Sequence, residues 1–460
     1  MTISTCALPV AAHPLVHTPL DSVALEEEYR SCVRELAGDI PSHAAGDNYL
    51  LGTNALYHGG PVQWSFVPKV FSRRDISYLA WIAETMGAIM EKLTRACVDD
   101  PEVRRRFGFS PEIEELVCAP VPYASQIPIA RVDIFLNEET GDFKFCELNT
   151  DGSSGMLATQ EVTRANALTS TGLRFATRHA VSAFDICGTC ARTVLAAYRD
   201  AGGTSEHPVI CAVDYAESIA AEEMREFQQV FARMGATMRF ADIRSLTYEN
   251  GVLSDAEGPI DVVWRRVVIS EMLEKPCAGA DALMQCVREG VVPVVGGFRT
   301  WPCATKTVFA LLFDPYVRNL FTTDELAFID AHVPATYLLE PGSDLSRFTN
   351  KDAWIAKPRE GYNSVGVRAG SDCTDEEWAE VCRTIASTGG VMQEYVLPYA
   401  TLTMEGGVAG ENDEPTPHYT MEGLFLFDNA FGGVFTRCGT NAVIGEFTGR
   451  LNMGCFVVED

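Results

Sequence analysis

The segment from Arg131 to Asn149 constrains the fold of this chain more than any other. It alternates polar and apolar residues, passes through the turn-forming run Glu139-Thr140-Gly141-Asp142, and then alternates again. This pattern predicts a β-hairpin. Side chains two residues apart on a strand point to the same face. The polar residues predicted to share one face of the hairpin are Arg131, Asp133, Glu147 and Asn149.

These four side chains suit a divalent cation and an anion. Two carboxylates and an amide oxygen are the oxygen ligands that Mg²⁺ prefers. Arg131 adds a forked donor that can hold a phosphate through two hydrogen bonds. Each carboxylate alone would be interpreted as a solvent-facing strand residue, but the set together favours a metal site.

Two distant lysines extend this site. Lys357 ends an apolar strand and enters a turn containing Glu360 and Gly361. Lys306 opens a predicted helix, where backbone N–H groups favour anions. Each would otherwise be interpreted as a surface lysine. A triphosphate needs Mg²⁺ and lysine, so the combination predicts a nucleotide site.

Two further segments fit a nucleotide site but have ordinary interpretations as well. Gln393, Glu394 and Tyr395 continue an apolar strand, which can line an adenine pocket or form a plain edge strand. Arg437 is either an ordinary strand arginine or a group that neutralises charge on a phosphoryl group. Arg265 and Arg266, which end another predicted strand, are further candidates.

Composition and missing motifs exclude several classes of protein. The formal net charge of −27 argues against nucleic acid as a partner, because binding phosphate backbones requires a basic surface. The chain has no GxGxxG after a strand, no P-loop, no HExxH and no GxSxG. We see no signal peptide and no apolar run of about 18 residues, so we expect a cytoplasmic protein without a membrane partner. The 15 cysteines are scattered, which predicts free thiols, and Cys187–Cys190 is an isolated CxxC.

Periodicity divides the chain into four parts. We predict a helical N-terminal region (1–120), the hairpin with helices over 157–173 and 175–199 (121–205), an α/β unit with parallel strands (206–300), and a nucleotide-binding part (301–460). The glycine-flanked segments 359–366 and 439–454 are predicted lids.

The order of these motifs resembles the glutathionylspermidine synthase family, in the synthetase domain alone, and eukaryotic glutathione synthetases are similar in layout. The resemblance implies an α/β (α+β) fold of the circularly permuted ATP-grasp type, with an inserted α/β substrate-binding (pre-ATP-grasp) domain and a helical N-terminal region. It also implies an ATP-dependent carboxylate–amine ligase that works through an acyl phosphate.

The resemblance implies ATP and Mg²⁺ as cofactors and a role for each matching residue. The metal ligands would be Asp133, Glu147 and Asn149. The ATP-binding residues would be Lys306, Lys357, Glu360, Gly361, Gln393, Glu394 and Tyr395. Arg131 and Arg437 would act on the transferred phosphoryl group. The substrate-binding residues would be Ser153 and Ser154 for a peptide-like acid and Asp214 and Glu217 for an amine.

Some features of the chain depart from the family, so the substrates stay open. Thr150-Asp151-Gly152 stands where the family usually reads Ala-Asp, and the carboxylates near Glu217 are sparse. We expect a small-molecule acid and amine as partners, with a homodimer as a candidate assembly. Two alternatives remain: a catalytically silent nucleotide-binding protein with a structural or regulatory role, and an ATP-dependent phosphotransferase. A requirement for an amine distinguishes a ligase from the phosphotransferase.

Overall fold

The computed structural model describes residues 3–6, 19–57, 59–359, 366–407, 414–445 and 448–459. Outside these ranges lie residues 360–365 of the first predicted lid, which include the predicted ATP-binding residues Glu360 and Gly361. Residues 446 and 447 of the second predicted lid also lie outside them. Within the described ranges, no helix combines the length and the apolar character needed to cross a bilayer.

The helices occur in every part of the chain. They are α1 (Asp21–Glu35), α2 (Ile40–Leu51), α3 (Arg73–Asp99), α4 (Pro101–Phe107), α5 (Pro111–Cys118), α6 (Met156–Leu168), α7 (Ser170–Phe175), α8 (Ile186–Asp200), α9 (Ala221–Arg233), α10 (Ile269–Glu274), α11 (Ala278–Glu289), α12 (Trp301–Ala304), α13 (Thr307–Leu311), α14 (Thr323–His332) and α15 (Asp375–Thr388). Short 3₁₀ turns lie at Ala37–Asp39, Ile243–Ser245, Phe298–Thr300, Val317–Leu320, Ser346–Phe348, Lys351–Ala353 and Gly370–Asp372.

The strands are mostly short, with the longest near the C-terminus. They are β1 (Ser4–Thr5), β2 (Leu56–Tyr57), β3 (Gly60–Pro61), β4 (Lys69–Ser72), β5 (Ile129–Leu136), β6 (Phe143–Asn149), β7 (Val181–Ala183), β8 (Val209–Asp214), β9 (Thr237–Asp242), β10 (Thr247–Glu249), β11 (Val252–Asp255), β12 (Gly258–Pro259), β13 (Val262–Arg265), β14 (Val294–Val295), β15 (Thr336–Leu339), β16 (Trp354–Pro358), β17 (Arg368–Ala369), β18 (Gly390–Glu394), β19 (Ala400–Thr403), β20 (Thr416–Phe427), β21 (Ala430–Gly439), β22 (Leu451–Met453) and β23 (Cys455–Val458).

A six-stranded antiparallel sheet, called here the central sheet, carries the predicted hairpin. Its order is β22-β21-β20-β5-β6, with β19 on β20. The hairpin prediction is confirmed, since β5 pairs with β6 across the turn at 137–142. Helix α3 begins at a capping box formed by Ser72 and Asp75, and it packs against β20 and β21.

A second antiparallel sheet faces the central sheet and carries Lys357. Its order is β15-β18-β16-β17. Helix α15 covers it, and Trp378, Cys382 and Ile385 of this helix are buried with Ala356 and Met392 of the sheet. The packing fixes one face of β16 and β18 and leaves the other face toward the central sheet.

The segment 206–300 forms a parallel sheet in the order β14-β13-β8-β9, as the strand–helix–strand pattern predicts. A small antiparallel sheet, β10-β11-β12, lies in the same segment as a separate sheet. The carboxyl end of β13 points toward the loop that follows the hairpin, because Gly152 lies against the backbone of Arg266.

One predicted helix is wrong in its first half. Residues 175–199 were expected to be one helix, but Val181–Ala183 is a strand that pairs with β1 and β23, and α8 begins only at Ile186. The short apolar run is compatible with either structure, and long-range pairing with strands from both ends of the chain decides it. The mixed sheet β1-β7-β23-β4 thereby joins the N- and C-terminal segments.

Candidate active site

Strand register brings the predicted hairpin residues to one face of the central sheet. Arg131 lies opposite Asn149, and Asp133 lies opposite Glu147 on β6 and Gly423 on β20. Arg437 joins this face from β21, where it is paired with Met421. Residues from three sequence regions are therefore neighbours because cross-strand partners lie about 5 Å apart.

Asp133 is the centre of a buried network of hydrogen bonds. Its Oδ1 accepts a hydrogen bond from Arg131 Nε (2.7 Å), and its Oδ2 accepts from Arg131 Nη2 (3.0 Å). The same Oδ2 accepts from Arg437 Nη2 (2.6 Å) and Asn149 Nδ2 (3.1 Å). The Asp133 side chain is fully buried, so these bonds replace its water.

The two guanidinium groups share the ring of Phe435. The Arg131 and Arg437 carbons lie 5.0 and 5.2 Å from the ring centroid. Burial lowers the pKa of Arg437, and the charge of Arg131 lowers it further against the opposing effect of Asp133. Arg131 also donates to the Ser154 carbonyl oxygen (2.7 Å), which ties it to the loop after the hairpin.

Glu147 and the two lysines form the second half of the site. Glu147 is half-buried and forms an ion pair with Lys306. Burial raises the pKa of Glu147, but Lys306, Lys357 and Arg437 outweigh it and lower the pKa to about 2. The carboxylate is therefore ionised at neutral pH.

Within the part of the chain that the structure describes, no carboxylate forms a hydrogen bond with Lys357. Its Nζ donates to Gln393 Oε1 (2.6 Å) and to the Cys146 carbonyl oxygen (3.2 Å). Gln393 is held in turn by Thr336 Oγ1, to which its Nε2 donates (2.9 Å). Burial is the main reason that the pKa of Lys357 is lowered to about 8, and nearby Lys306 lowers it further.

A cleft between the central sheet and the second sheet, called here the apolar cleft, runs up to these charges. Its walls include Phe135, Phe145, Ile355, Val367 and Met421. The predicted adenine segment Gln393, Glu394 and Tyr395 lies along it. Glu394 and Tyr395 already donate their backbone N–H groups to Ala335 and Ala353, at 2.8 and 2.9 Å.

A second cleft, called here the polar cleft, opens on the other side of the charges. Its lining residues include Asn149, Ser153, Ser154, Ser270, Trp301 and Arg450. The two clefts share four side chains, namely Glu147, Lys306, Arg437 and Ile444. A molecule in one cleft would therefore meet a molecule in the other at these side chains.

The loop from Thr150 to Gly155 forms one wall of the polar cleft. Gly152 adopts φ +64°, and a Cβ there would lie 2.9 Å from the Arg266 carbonyl oxygen, so glycine is needed at this position. Ser153 Oγ donates to the Asn149 carbonyl oxygen (2.6 Å), and Arg266 donates to the Ser153 carbonyl oxygen. Ser153 and Ser154 thus lie in the same cleft as Asn149.

The predicted amine contacts lie apart from both clefts. Asp214 ends β8 and accepts from the Tyr215 backbone N–H (2.8 Å), and burial raises its pKa to about 6. Glu217 is exposed and pairs with Arg244 (2.6 Å) and Lys275 (3.2 Å). Neither residue lines the apolar or the polar cleft. The structure therefore does not bring them to the other predicted site residues.

The donor set fits a divalent cation bound together with phosphate. Among the described residues, no three His, Cys, Asp or Glu side chains converge as a complete metal cage. Glu147 faces both clefts, and Asn149 directs its amide nitrogen to Asp133, which leaves its amide oxygen available. Since Mg²⁺ is usually bound by one or two protein ligands and phosphate oxygens, this smaller set suffices.

Several residues of the site were not predicted from the sequence. One of them is Phe435, whose ring lies against both guanidinium groups. Others are the cleft residues Cys146, Met421 and Trp301. In the sequence all four are ordinary apolar residues. Arg450 follows a glycine in a region without clear periodicity. The same-face spacing of Phe435 and Arg437 was the one available signal.

The isolated CxxC lies away from this site. Cys187 and Cys190 are buried in α8, and burial raises the pKa of both thiols. All 15 cysteines are free thiols, in agreement with the sequence-based expectation.

The fold is a mixed helix-and-sheet fold, as the sequence predicts, and a solved structure shares it. The chain is similar to a glutathione synthetase-like effector, GSS30, from Globodera pallida in its apo form, with a TM-score of 0.64 and 12% identity over 91% of this chain and 97% of that one. It also matches D-cycloserine synthetase DcsG (TM-score 0.29, 14% identity, 55% and 92% of the chains) and a RimK domain ATP-grasp protein from Sphaerobacter thermophilus (0.26, 13%, 49% and 90%). No family model and no curated protein sequence matches the chain.

Proposed function

We propose that this protein is an ATP-dependent carboxylate–amine ligase that forms an amide through an acyl phosphate and releases ADP and phosphate. The acid is proposed to be peptide-like, as in glutathionylspermidine synthases. The fold shared with the glutathione synthetase-like effector supports this proposal, and so does the charged junction of two clefts.

The observation that carries the proposal is an excess of buried cations at this junction. Among the described residues, the carboxylates in hydrogen-bond or ion-pair contact with Arg131, Lys306, Lys357 and Arg437 are Asp133 and Glu147, which leaves a surplus of two positive charges (4 − 2) in that set. Buried charges are normally paired. A bound polyphosphate would supply the missing negative charge.

Each cleft then has a role. The apolar cleft is proposed to hold the adenine and ribose along Gln393–Tyr395, and Lys306 and Lys357 to hold phosphate oxygens. Mg²⁺, bound by Glu147 and Asn149, would neutralise charge on the transferred phosphoryl group. Arg131 and Arg437 stabilise the same charge by fixed hydrogen bonds. The polar cleft would hold the acid beside Ser153 and Ser154.

The amine contacts remain a prediction. Asp214 and Glu217 are proposed to recognise the amine, as the resemblance implies. Glu217 is already neutralised by Arg244 and Lys275, so an amine would have to displace these side chains. Few carboxylates in this region are left to pair with a polyamine, which carries several positive charges. Amino acids should therefore be tested as well as polyamines.

The test is ADP release by the purified protein with MgATP across a matrix of acids and amines. The acids include glutathione and γ-glutamyl peptides, and Glu147→Gln serves as the inactive control. We expect ADP only when one acid and one amine are both present. ADP release with an acid alone, yielding a stable phosphorylated product, would instead establish the phosphotransferase. Tight MgATP binding without turnover would favour a nucleotide-binding structural or regulatory protein.

A further inference from the structure

We propose that Asp133 is a positioning residue that holds Arg131 and Arg437 at the junction of the two clefts, instead of the metal ligand that the family resemblance implies. This inference rests on the proposed function, because it concerns how the same site holds its cation and the transferred phosphoryl group. Of the three predicted metal ligands, Asp133 then positions the arginines. Glu147 and Asn149 provide the oxygen atoms for the metal.

The first observation is that the acceptor capacity of Asp133 Oδ2 is already used. Oδ2 receives three hydrogen bonds, from Arg131 Nη2, Arg437 Nη2 and Asn149 Nδ2, at 2.6 to 3.1 Å, and Oδ1 receives one from Arg131 Nε (2.7 Å). Each carboxylate oxygen offers about two lone-pair sites. Since the side chain is fully buried, a metal ion on Oδ2 would have to displace one of these donors, and a metal ion on Oδ1 would have to enter the narrow space between Arg131 and Gly423.

The second observation concerns charge. Arg131 and Arg437 are both buried, and both lie about 5 Å from the centroid of the Phe435 ring. Two guanidinium groups held this close repel each other in a buried site. Asp133 is the carboxylate that contacts both arginines. Its negative charge offsets their repulsion, so both side chains can lie at the junction of the two clefts.

The third observation is the shape of the sheet around the pair. Gly423 lies directly across from Asp133 on β20. A Cβ at this position would lie 2.6 Å from Arg131 Cδ and 2.9 Å from Asp133 Oδ1. The arginine–carboxylate pair therefore lies flat on the sheet, in space that any side chain at position 423 would occupy.

Glu147 differs from Asp133 in each of these respects. It is half-buried, its ion pair among the described residues is with Lys306, and it lines both clefts. Asn149 gives its amide nitrogen to Asp133, so its oxygen can serve a cation without breaking that bond. The geometry thus assigns metal binding to Glu147 and Asn149. Asp133 instead holds the two arginines in position.

The test compares two matched carboxylate-to-amide variants, Asp133→Asn and Glu147→Gln, in the full chain. Mn²⁺ is titrated in the presence of a non-hydrolysable ATP analogue, and enzyme-bound Mn²⁺ is followed by electron paramagnetic resonance. We expect Glu147→Gln to weaken Mn²⁺ binding at least ~10-fold, whereas Asp133→Asn stays within about threefold of wild type. Turnover of Asp133→Asn should fall about 10²-fold through kcat, with KM for ATP nearly unchanged.

Equal loss of Mn²⁺ binding in the two variants would overturn the inference and leave the proposed function standing. A wild-type protein that binds no Mn²⁺ with the analogue would overturn the proposed function itself, and the inference with it. If Asp133→Asn does not fold, Gly423→Ala replaces it, because the added methyl displaces the Arg131–Asp133 pair while keeping the carboxylate. We expect Gly423→Ala to lose turnover and retain Mn²⁺ binding, and loss of Mn²⁺ binding there would also overturn the inference.

Discussion

At the scale of single residues, Lys357 is a buried cation whose environment favours the binding of an anion. It is buried, and its hydrogen-bond acceptors are the neutral oxygens of Gln393 and Cys146. An ammonium group with neutral partners is costly to bury, so a bound anion would relieve that cost. Two predictions follow from this environment.

The first concerns removal of the charge. Lys357→Met should lower the rate of ADP release about 10²- to 10³-fold, because one fixed charge at the transferred phosphoryl group is lost. Lys351→Met is the matched control, since Lys351 lies near the start of the same strand and pairs with Asp352 (2.9 Å) on the surface. Steady-state kinetics measures both, and a Lys357→Met enzyme with wild-type rates would contradict the assignment.

The second concerns pH. Burial lowers the pKa of Lys357 to about 8, so above pH 8 the free protein holds this lysine neutral. A bound phosphate raises the pKa again, and binding then takes up a proton. Affinity for an ATP analogue should therefore fall as pH rises from 8 to 9.5, by up to about tenfold per pH unit. Calorimetric titrations check this, and Lys357→Met should remove most of the slope.

At the scale of elements, the hairpin β5–β6 depends on helix α3. Tyr78 of α3 donates its buried hydroxyl to the Gly141 carbonyl oxygen in the hairpin turn (2.7 Å), and its ring lies edge-on to Phe143 (6.1 Å between ring centroids). The helix thereby holds the turn that sets the register of Asp133 opposite Glu147. A change in α3 should therefore reach the site through the hairpin.

Tyr78→Phe tests this link between helix and hairpin. The substitution keeps the ring and leaves the Gly141 carbonyl without its donor, so the free energy of unfolding should fall by about 1–2 kcal/mol. Tyr316→Phe is the control, because the Tyr316 hydroxyl bonds Asp100 (2.9 Å) at the surface, where water can replace it. Urea denaturation measures both, and equal effects would show that the buried bond is not special.

At the scale of the whole molecule, a buried charged cluster joins distant parts of the chain on the other face of the central sheet. Lys69 of β4 contacts Glu138 of the hairpin (2.6 Å), Glu26 of α1 (3.3 Å) and Glu422 of β20 (4.0 Å). Arg30 also lies near Glu26 (3.7 Å). Burial, aided by the neighbouring carboxylates, raises the pKa of Glu422 to about 8 and that of Glu26 to about 7.

This cluster predicts how stability depends on pH. A glutamate with a raised pKa binds more protons in the folded than in the unfolded state between about pH 4.5 and 8, so its contribution to stability falls as pH rises through that window. Glu422→Gln should remove the part of this dependence that comes from Glu422 and leave the part that comes from Glu26. The variant should gain stability over wild type at pH 8.5 relative to pH 5 by a few kcal/mol, at about 1.4 kcal/mol per pKa unit. Urea denaturation at both pH values checks this. The control is Glu28→Gln, a surface substitution in α1, which should leave the free energy of unfolding unchanged at both pH values.

Local pattern was sufficient to predict the hairpin and the parallel unit. It also singled out Arg131, Asp133, Glu147, Asn149, Lys306 and Lys357 as candidate site residues, and their roles stay predictions. Their signals lie in a few consecutive residues, where strand alternation, helical periodicity and turn residues act on the nearest neighbours in the chain.

Only the tertiary structure decided which of these residues meet. The pairing of β20 with β5 on one side and with β21 on the other brings Gly423, Phe435 and Arg437 onto the face that carries Asp133, and the facing of two sheets places Lys357 beside Cys146. The same packing turned Val181–Ala183 into a strand and left Asp214 and Glu217 away from the clefts. Cross-strand partners and opposed sheets join residues hundreds of positions apart, and the free energy that selects them comes from burial over the whole core, which no local window contains.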